Sequence, residues 1–258
     1  MLTKLMKHEF LATGRVMLPL YLLLVVVSVG VNLSVHGMAT VSNPIFDVLG
    51  ALFSISYALI LFAAFLLCLV VIVARFYRNM LGPEGYLTLT LPVSVHQHVL
   101  SKLLVSLLWM VLTGAAVALS VLLIFLGDEL DLSRFFELLR ASMSQLNVNF
   151  SGIAVLSLVL ALLHIALIIL QFYAACAIGG SFANSKLALS VAFFFAIQLI
   201  VSAANNLIGE AGMNLFSGGG PEALVHFSMG LNGVMMGAEI LIFYFITTYF
   251  LKNKVNLE

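Results

Sequence analysis

Residues 48–74 decide the fold, and they read VLGALFSISYALILFAAFLLCLVVIVA. This segment contains no Asp, Glu, Lys, Arg or His. A helix needs roughly 20 apolar residues to cross a hydrocarbon core of about 30 Å, and the segment exceeds that length. Because its apolar residues are continuous and do not alternate with polar ones, it is typical of a membrane-spanning helix and not of a barrel strand.

Five further apolar segments of comparable length lie on either side of it. The six predicted spans are Val16–Val35, Val48–Ala74, Leu103–Leu126, Ser151–Ala177, Leu187–Ile208 and Leu224–Leu251. Hydrophobic residues make up 63% of the chain before glycine is counted, against about 45–50% with glycine in soluble domains. Charged residues make up only 9%. We therefore predict an all-α integral membrane protein, with a single transmembrane domain over residues 1–258.

The positive charges fall mainly on one side of these spans. Nine of the eleven Lys and Arg residues share that side, namely Lys4, Lys7, Arg15, Arg75, Arg78, Lys102, Lys186, Lys252 and Lys254. The other two, Arg134 and Arg140, lie on the opposite side with most of the acidic residues. By the positive-inside rule the nine are cytoplasmic, so both termini are predicted to be cytoplasmic. A net charge of zero gives no reason to expect a nucleic-acid partner.

Residues 1–15 precede the first span and have an apolar face formed by Leu2, Leu5, Met6 and Phe10. We predict that they form an interfacial helix before the chain turns into the membrane, with a frayed terminus as the alternative. A signal peptide is a competing interpretation of this region, but no clear small-residue cleavage site follows the apolar run.

The stretch between spans two and three, residues 75–102, is the most informative loop. Its turn and cap residues are Gly82, Pro83, Gly85, Pro92, Ser94 and Gln97. The glycines and prolines predict a reversal, and Ser94 with Gln97 forms a capping box that predicts a new helix from about Val95. The resulting elbow carries apolar side chains into the cytoplasm. It is suited to docking a soluble partner, although a tight reversal that contacts only its own helix ends has the same pattern.

Residues 84–94, Glu-Gly-Tyr-Leu-Thr-Leu-Thr-Leu-Pro-Val-Ser, followed by Ser101-Lys102, resemble the inner elbow of ABC-2 type permeases of bacterial ABC exporters. The resemblance extends over nearly the whole chain and implies a type V exporter-like permease fold in a bacterial plasma membrane. It also implies a homodimer or a pair with a related permease chain, coupled through the elbow to separate ATPase subunits that bind ATP and Mg. By resemblance, the contacts to the ATPase are Arg78, Glu84, Tyr86, Thr88 and Thr90.

The sequence lacks a nucleotide-binding motif, which agrees with ATP being bound by separate subunits. No Gly-x-x-x-x-Gly-Lys-[Ser/Thr] occurs, so the chain has no P-loop to bind nucleotide phosphates. We expect no catalytic residue and no cofactor on this chain. Cys68 and Cys176 lie in apolar runs and are predicted to be buried, not paired in a disulfide or bound to a metal.

Several polar side chains interrupt the later spans. The candidates for a substrate pathway are Glu239, His164, Gln198, Asn205 and Asn206. A charged group at mid-membrane depth costs at least about 2.5–3.5 kcal/mol on insertion scales, so such groups usually face a cavity or a partner. The amides have the alternative role of hydrogen-bonding one helix to another, and local pairing is the alternative for Glu239 and His164.

Two loops on the predicted outer side complete the organisation. Residues 127–149 have apolar residues at helical spacing and are predicted to form an amphipathic helix on the outer leaflet. Residues 209–222 are apolar but broken by glycines, which predicts a re-entrant loop covered by protein. ABC-2 permeases are similar in having short re-entrant helices between spans five and six.

Three classes of function are compatible with these features. A permease subunit of an ATP-driven exporter accounts for the elbow, the topology and the missing P-loop. A secondary transporter driven by an ion gradient would act through Glu239, although we find no inverted repeat of the kind expected for it. An intramembrane enzyme would need paired catalytic groups at one depth, whereas His164 and Glu239 are single and on separate spans.

Overall fold

The computed structural model describes residues 2–40, 44–82, 84–86, 93–124, 141, 150–182, 185–216 and 220–254. Most of these form six long helices, which are α1 (Leu2–Thr40), α2 (Pro44–Leu81), α3 (Val95–Ile124), α4 (Phe150–Gly179), α5 (Lys186–Leu215) and α6 (Pro221–Asn253). Each helix is long and apolar enough to cross a membrane. The prediction of an all-α chain with six spans is confirmed by these lengths and compositions.

The first helix differs from its prediction. We expected a helix over residues 1–15 to end before a separate span, but α1 is continuous from Leu2 to Thr40. No residue near Arg15 interrupts it, and a Cβ built on Gly14 would lie 3.4 Å from the Trp109 ring, so the helix packs through this point. Pro19 lies inside α1 and removes one backbone hydrogen bond without ending the helix.

Residues Met1–Ala74 and Leu104–Leu130 form one compact unit. Trp109 lies in its core, stacked on Phe10 with 4.6 Å between ring centroids. The Tyr21 hydroxyl lies 2.7 Å from the Thr113 hydroxyl, and the Asn32 amide donates to the Ile124 carbonyl oxygen at 2.7 Å. These contacts hold α1 against α3 between Trp109 and Ile124.

Residues Arg75–Leu103 and Asp131–Glu258 form the second compact unit. In it α4 packs against both α5 and α6. The α4 and α5 helices run antiparallel, since Gly179 at the end of α4 lies against Ser190 near the start of α5, while Gln171, earlier in α4, bonds to Gln198, later in α5. Leu160 contacts Gly233 on α6. The second unit contains the predicted elbow and every polar span residue singled out above.

The structure describes the two loops predicted on the outer side to different extents. Residues 209–215 belong to α5, so the first part of the segment 209–222, predicted to be a re-entrant loop, continues that helix. The glycines in it are tolerated, because a Cβ on Gly209 would meet nothing within 4 Å and α5 simply continues. The predicted amphipathic helix over 127–149 lies outside the described residues except for Ala141, which is helical.

Candidate functional site

The elbow begins where α2 ends. Helix α2 continues to Leu81, and the Gly82 N–H donates to the Tyr77 carbonyl oxygen at 3.0 Å. The Gly85 N–H then donates to the Gly82 carbonyl oxygen at 2.8 Å. A Cβ on Gly82 would lie only 2.7 Å from the Arg78 carbonyl oxygen. Only glycine fits this reversal, as the sequence predicted.

The far side of the elbow is closed by the predicted cap. The Gln97 N–H lies 3.4 Å from the Ser94 hydroxyl and donates to the Ser94 carbonyl oxygen at 3.0 Å. Helix α3 starts at Val95, which confirms the predicted helix start. Ser94 thus offers two acceptors to the Gln97 N–H in the first helical turn, where N–H groups lack the usual intrahelical partner.

The exposed face of the elbow carries an ion pair. Arg78 Nη2 lies 3.3 Å from Glu84 Oε1, and the two side chains are 74% and 53% exposed. Tyr86 is 60% exposed beside them. Such a pair contributes little to stability in water, at most about 1 kcal/mol. Thr88 and Thr90, the other residues predicted to contact a partner, lie outside the described residues.

The buried face of the elbow is attached to α4. The Phe76 ring stacks on the Tyr173 ring with centroids 3.9 Å apart, and both side chains are fully buried. A Cβ on Gly180 would come within 2.5 Å of Leu81 Cδ2, so the end of α2 lies directly against the end of α4. Two separate points therefore fix residues 76–81 to α4.

A third attachment joins the elbow to α6. His96 Nδ1 lies 3.1 Å from the Tyr244 hydroxyl, and the two rings are 5.8 Å apart. His96 lies in the first turn of α3, so this contact fixes the far side of the elbow. Through these contacts, a displacement of the elbow would act on α4 at one side and on α6 at the other.

A cavity of about 390 Å³ lies among α4, α5 and α6. Its lining residues are His164, Leu167, Ile168, Gln171, Gln198, Val201, Ser202, Asn205, Asn206, Asn232, Met235, Met236 and Glu239. All five residues predicted as pathway candidates are among them. His164 and Glu239 lie on separate spans, but they face the same cavity because α4 and α6 pack together.

Three polar lining residues, Gln171, Ser202 and Asn232, were not among the predicted candidates, and for Gln171 and Asn232 the sequence holds a clue. Both carried a signal, since Gln171 follows His164 by seven positions and Asn232 precedes Glu239 by seven. Seven residues are about two helical turns, so each pair lies on one face of its helix. The pair Gln198 and Asn205 on α5 has the same spacing.

The side chains of these three pairs, one pair on each helix, lie at successive levels of the cavity. At one level the Gln198 amide donates to Gln171 Oε1 at 2.8 Å, which joins α5 to α4. Two turns away the Asn205 side chain lies beside the Glu239 carboxyl group, with the His164 ring within electrostatic range. Among the described residues, Glu239 Oε2 and Asn205 Oδ1 are buried without a hydrogen-bond partner.

No family model, curated protein or solved structure matches this chain. The six apolar helices define the class, a multi-pass membrane protein. Its function is therefore argued from its own elbow and cavity.

Proposed function

We propose that this chain is the membrane-spanning permease subunit of an ATP-driven exporter of the ABC-2 type. In this proposal two copies, or one copy and a related chain, form the substrate pathway in a bacterial plasma membrane. Separate ATPase subunits bind ATP and Mg and dock on the elbow from the cytoplasm. The chain itself carries no catalytic residue and no cofactor.

The observation that carries the proposal is the attachment of the elbow to the walls of the cavity. Phe76 contacts α4 at Tyr173, only two residues from the cavity residue Gln171. His96 contacts α6 at Tyr244, five residues or about 8 Å along the helix from Glu239. A partner that moved the elbow would therefore move two of the three helices around the cavity, as coupling to an ATPase requires.

The exposed face of the elbow has the chemistry that a docking site needs. Arg78, Glu84 and Tyr86 are all more than half exposed. A cation, a carboxylate and an aromatic ring together offer charge complementarity and apolar area to a partner. Because the ion pair between Arg78 and Glu84 is exposed, a partner can compete for either charge at small cost.

Copurification tests the proposal directly. The chain, extracted from its native host in a mild detergent, is expected to bring down a protein that hydrolyses ATP. A matched preparation of the Glu84→Lys variant should yield the same amount of chain with less ATPase. If the unaltered chain never brings down an ATPase, the proposed coupling is wrong.

An ion-gradient-driven secondary transporter is the alternative, and one observation favours it. Glu239 places a buried carboxylate oxygen in the middle of α6, inside the cavity, and no described residue forms a hydrogen bond with it. Proton-coupled transporters place carboxylates in such positions. Uptake of substrate into liposomes that contain only this chain, driven by a pH gradient and abolished by Glu239→Gln, would replace the first proposal by this one.

A further inference from the structure

We propose that the cavity among α4, α5 and α6 binds a protonated amine with an apolar body, through Glu239 and Asn205. That such an amine is the cargo rests on the proposed transport function, but its binding does not.

Two acceptors in the cavity are unsatisfied. Glu239 Oε2 and Asn205 Oδ1 are buried, and within the described part of the chain neither has a hydrogen-bond partner. A buried acceptor without a donor is unfavourable. The Asn205 side chain interacts directly with the Glu239 carboxyl group, so the two unpartnered oxygens belong to neighbouring side chains. An ammonium group has three N–H donors and no acceptor, which matches this pair.

The charge of the site has the sign that an amine needs. The lining residues that the structure describes include one carboxylate and neither Lys nor Arg. His164 lies in electrostatic range of Glu239, yet Oε2 is left without a hydrogen bond from it. An anion would meet the carboxylate and the carbonyl oxygens of amides, so the site disfavours anions.

The remaining lining argues for an organic cation and against a bare metal ion. A volume of about 390 Å³ is in the range of small-molecule pockets. Leu167, Ile168, Val201, Met235 and Met236 provide apolar surface in the same cavity. Methionine side chains adapt to ligands of irregular shape. A small amine with a hydrocarbon or aromatic body would fill this space and keep its ammonium group at Glu239.

Three matched probes test the proposal on the full chain, purified alone in detergent. Benzylamine carries charge and N–H donors, benzyltrimethylammonium carries charge without donors, and benzyl alcohol carries a donor without charge. Binding is measured by isothermal titration calorimetry. We expect benzylamine to bind. The other two should bind at least about tenfold more weakly, because a charge-assisted hydrogen bond needs both a charge and a donor and each of them has only one of the two.

Variants then locate the site. Glu239→Gln keeps the shape of the side chain, and it is expected to weaken benzylamine binding at least about tenfold. Asn205→Ala removes the second acceptor and should also weaken it. Glu222→Gln is the matched control, since Glu222 lies on the same helix outside the cavity and beside His226. Binding to this control should equal that of the unaltered chain.

Several results would overturn the proposal. They are the absence of benzylamine binding, binding of benzyl alcohol or benzyltrimethylammonium as strong as that of benzylamine, unchanged binding to Glu239→Gln, and loss of benzylamine binding when sodium chloride replaces choline chloride in the buffer. If Glu239→Gln does not give a monodisperse protein, Asn205→Ala and the probe series on the unaltered chain still decide. None of these measurements involves the ATPase, so failure here leaves the copurification test intact, and the reverse also holds.

Discussion

Among single side chains, Glu84 gives the sharpest test of the elbow. Its ion pair with Arg78 spans 3.3 Å and is exposed, so it contributes little to folding. We expect Glu84→Lys to leave membrane insertion and abundance unchanged while lowering ATP-dependent transport and ATPase association. Quantitative immunoblotting of membranes measures the first, and transport and copurification measure the second.

A charge swap is the control for that experiment. The double variant Arg78→Glu with Glu84→Arg restores the pair within the chain but presents both charges in reversed positions. If the pair matters only inside the chain, the swap restores transport. We expect that it does not, because the partner recognises the individual charges. Normal transport by Glu84→Lys alone would remove Glu84 from the coupling surface.

The hydrogen bond between Gln171 and Gln198 gives a second side-chain prediction. It joins α4 to α5 at 2.8 Å inside the cavity. Hydrogen bonds between membrane helices contribute about 0.6 kcal/mol on average and up to about 1.7 kcal/mol. We therefore expect a double-mutant cycle of Gln171→Leu and Gln198→Leu to give a coupling energy of about 1 kcal/mol. Unfolding in detergent with increasing denaturant measures it, and strictly additive effects would contradict a direct bond.

The cavity residues also mark how far the sequence can predict a site. Isolated polar residues in apolar spans identified Glu239, His164, Gln198, Asn205 and Asn206, and all five line the cavity. The seven-residue spacing would have added Gln171 and Asn232. Pattern alone gives the face of a helix on which a residue lies, but not which helix it meets. The contact between Asn205 and Glu239 depends on packing of α5 and α6 that no local signal specifies.

At the scale of whole helices, the close contact between α4 and α5 depends on Gly179, where there is no space for a larger side chain. A Cβ on Gly179 would lie 2.6 Å from the backbone nitrogen of Ser190. We expect Gly179→Ala to force these helices apart and to lower the unfolding temperature in detergent. Gly209→Ala is the matched control, because a Cβ there would meet nothing within 4 Å.

The two variants are expected to differ because the new methyl group at Gly179 would meet backbone atoms, which cannot move aside as a flexible side chain can. At Gly209 the added methyl group removes conformational entropy from the unfolded chain, which stabilises a helix by up to about 1 kcal/mol. At Gly179 the same gain is smaller than the cost of separating α4 from α5. Equal unfolding temperatures for the two variants would show that the turn is not as tight as its geometry indicates.

The helices also show which boundaries local sequence can predict. The start of α3 was predictable because Ser94 caps it with its own side chain and backbone. The end of α5 was not, because the loop predicted from Gly209 relied on glycines in an apolar run. The continuity of α1 was not either, because the separate helix predicted over residues 1–15 relied on its apolar face. Glycine lowers helix propensity by only about 1 kcal/mol, which packing and an apolar environment readily override. Strong caps thus predict boundaries better than isolated glycines.

For the complete chain, the orientation in the membrane decides whether the elbow can meet a cytoplasmic partner. Nine of the eleven Lys and Arg residues lie on the side of the elbow, so it is predicted to be cytoplasmic. Cysteine labelling can test this with little background, because Cys68 and Cys176 are both buried, at 0% and 5% exposure. Tyr86 on the elbow and Glu210 near the far end of α5 are both exposed and available for substitution.

In inverted vesicles washed free of peripheral proteins, where no docked ATPase covers the elbow, we expect Tyr86→Cys to react with a membrane-impermeant maleimide. In intact cells we expect no reaction. Glu210→Cys should show the opposite pattern, because α5 has about 36 Å of helix between Lys186 and this position, enough to cross the bilayer. The reciprocal pattern matters, since it separates true orientation from a variant that simply fails to react. Labelling of Tyr86→Cys in intact cells would put the elbow outside the cell. No cytoplasmic ATPase could then reach Arg78 and Glu84, and amine binding by the cavity would have to serve a protein without that motor.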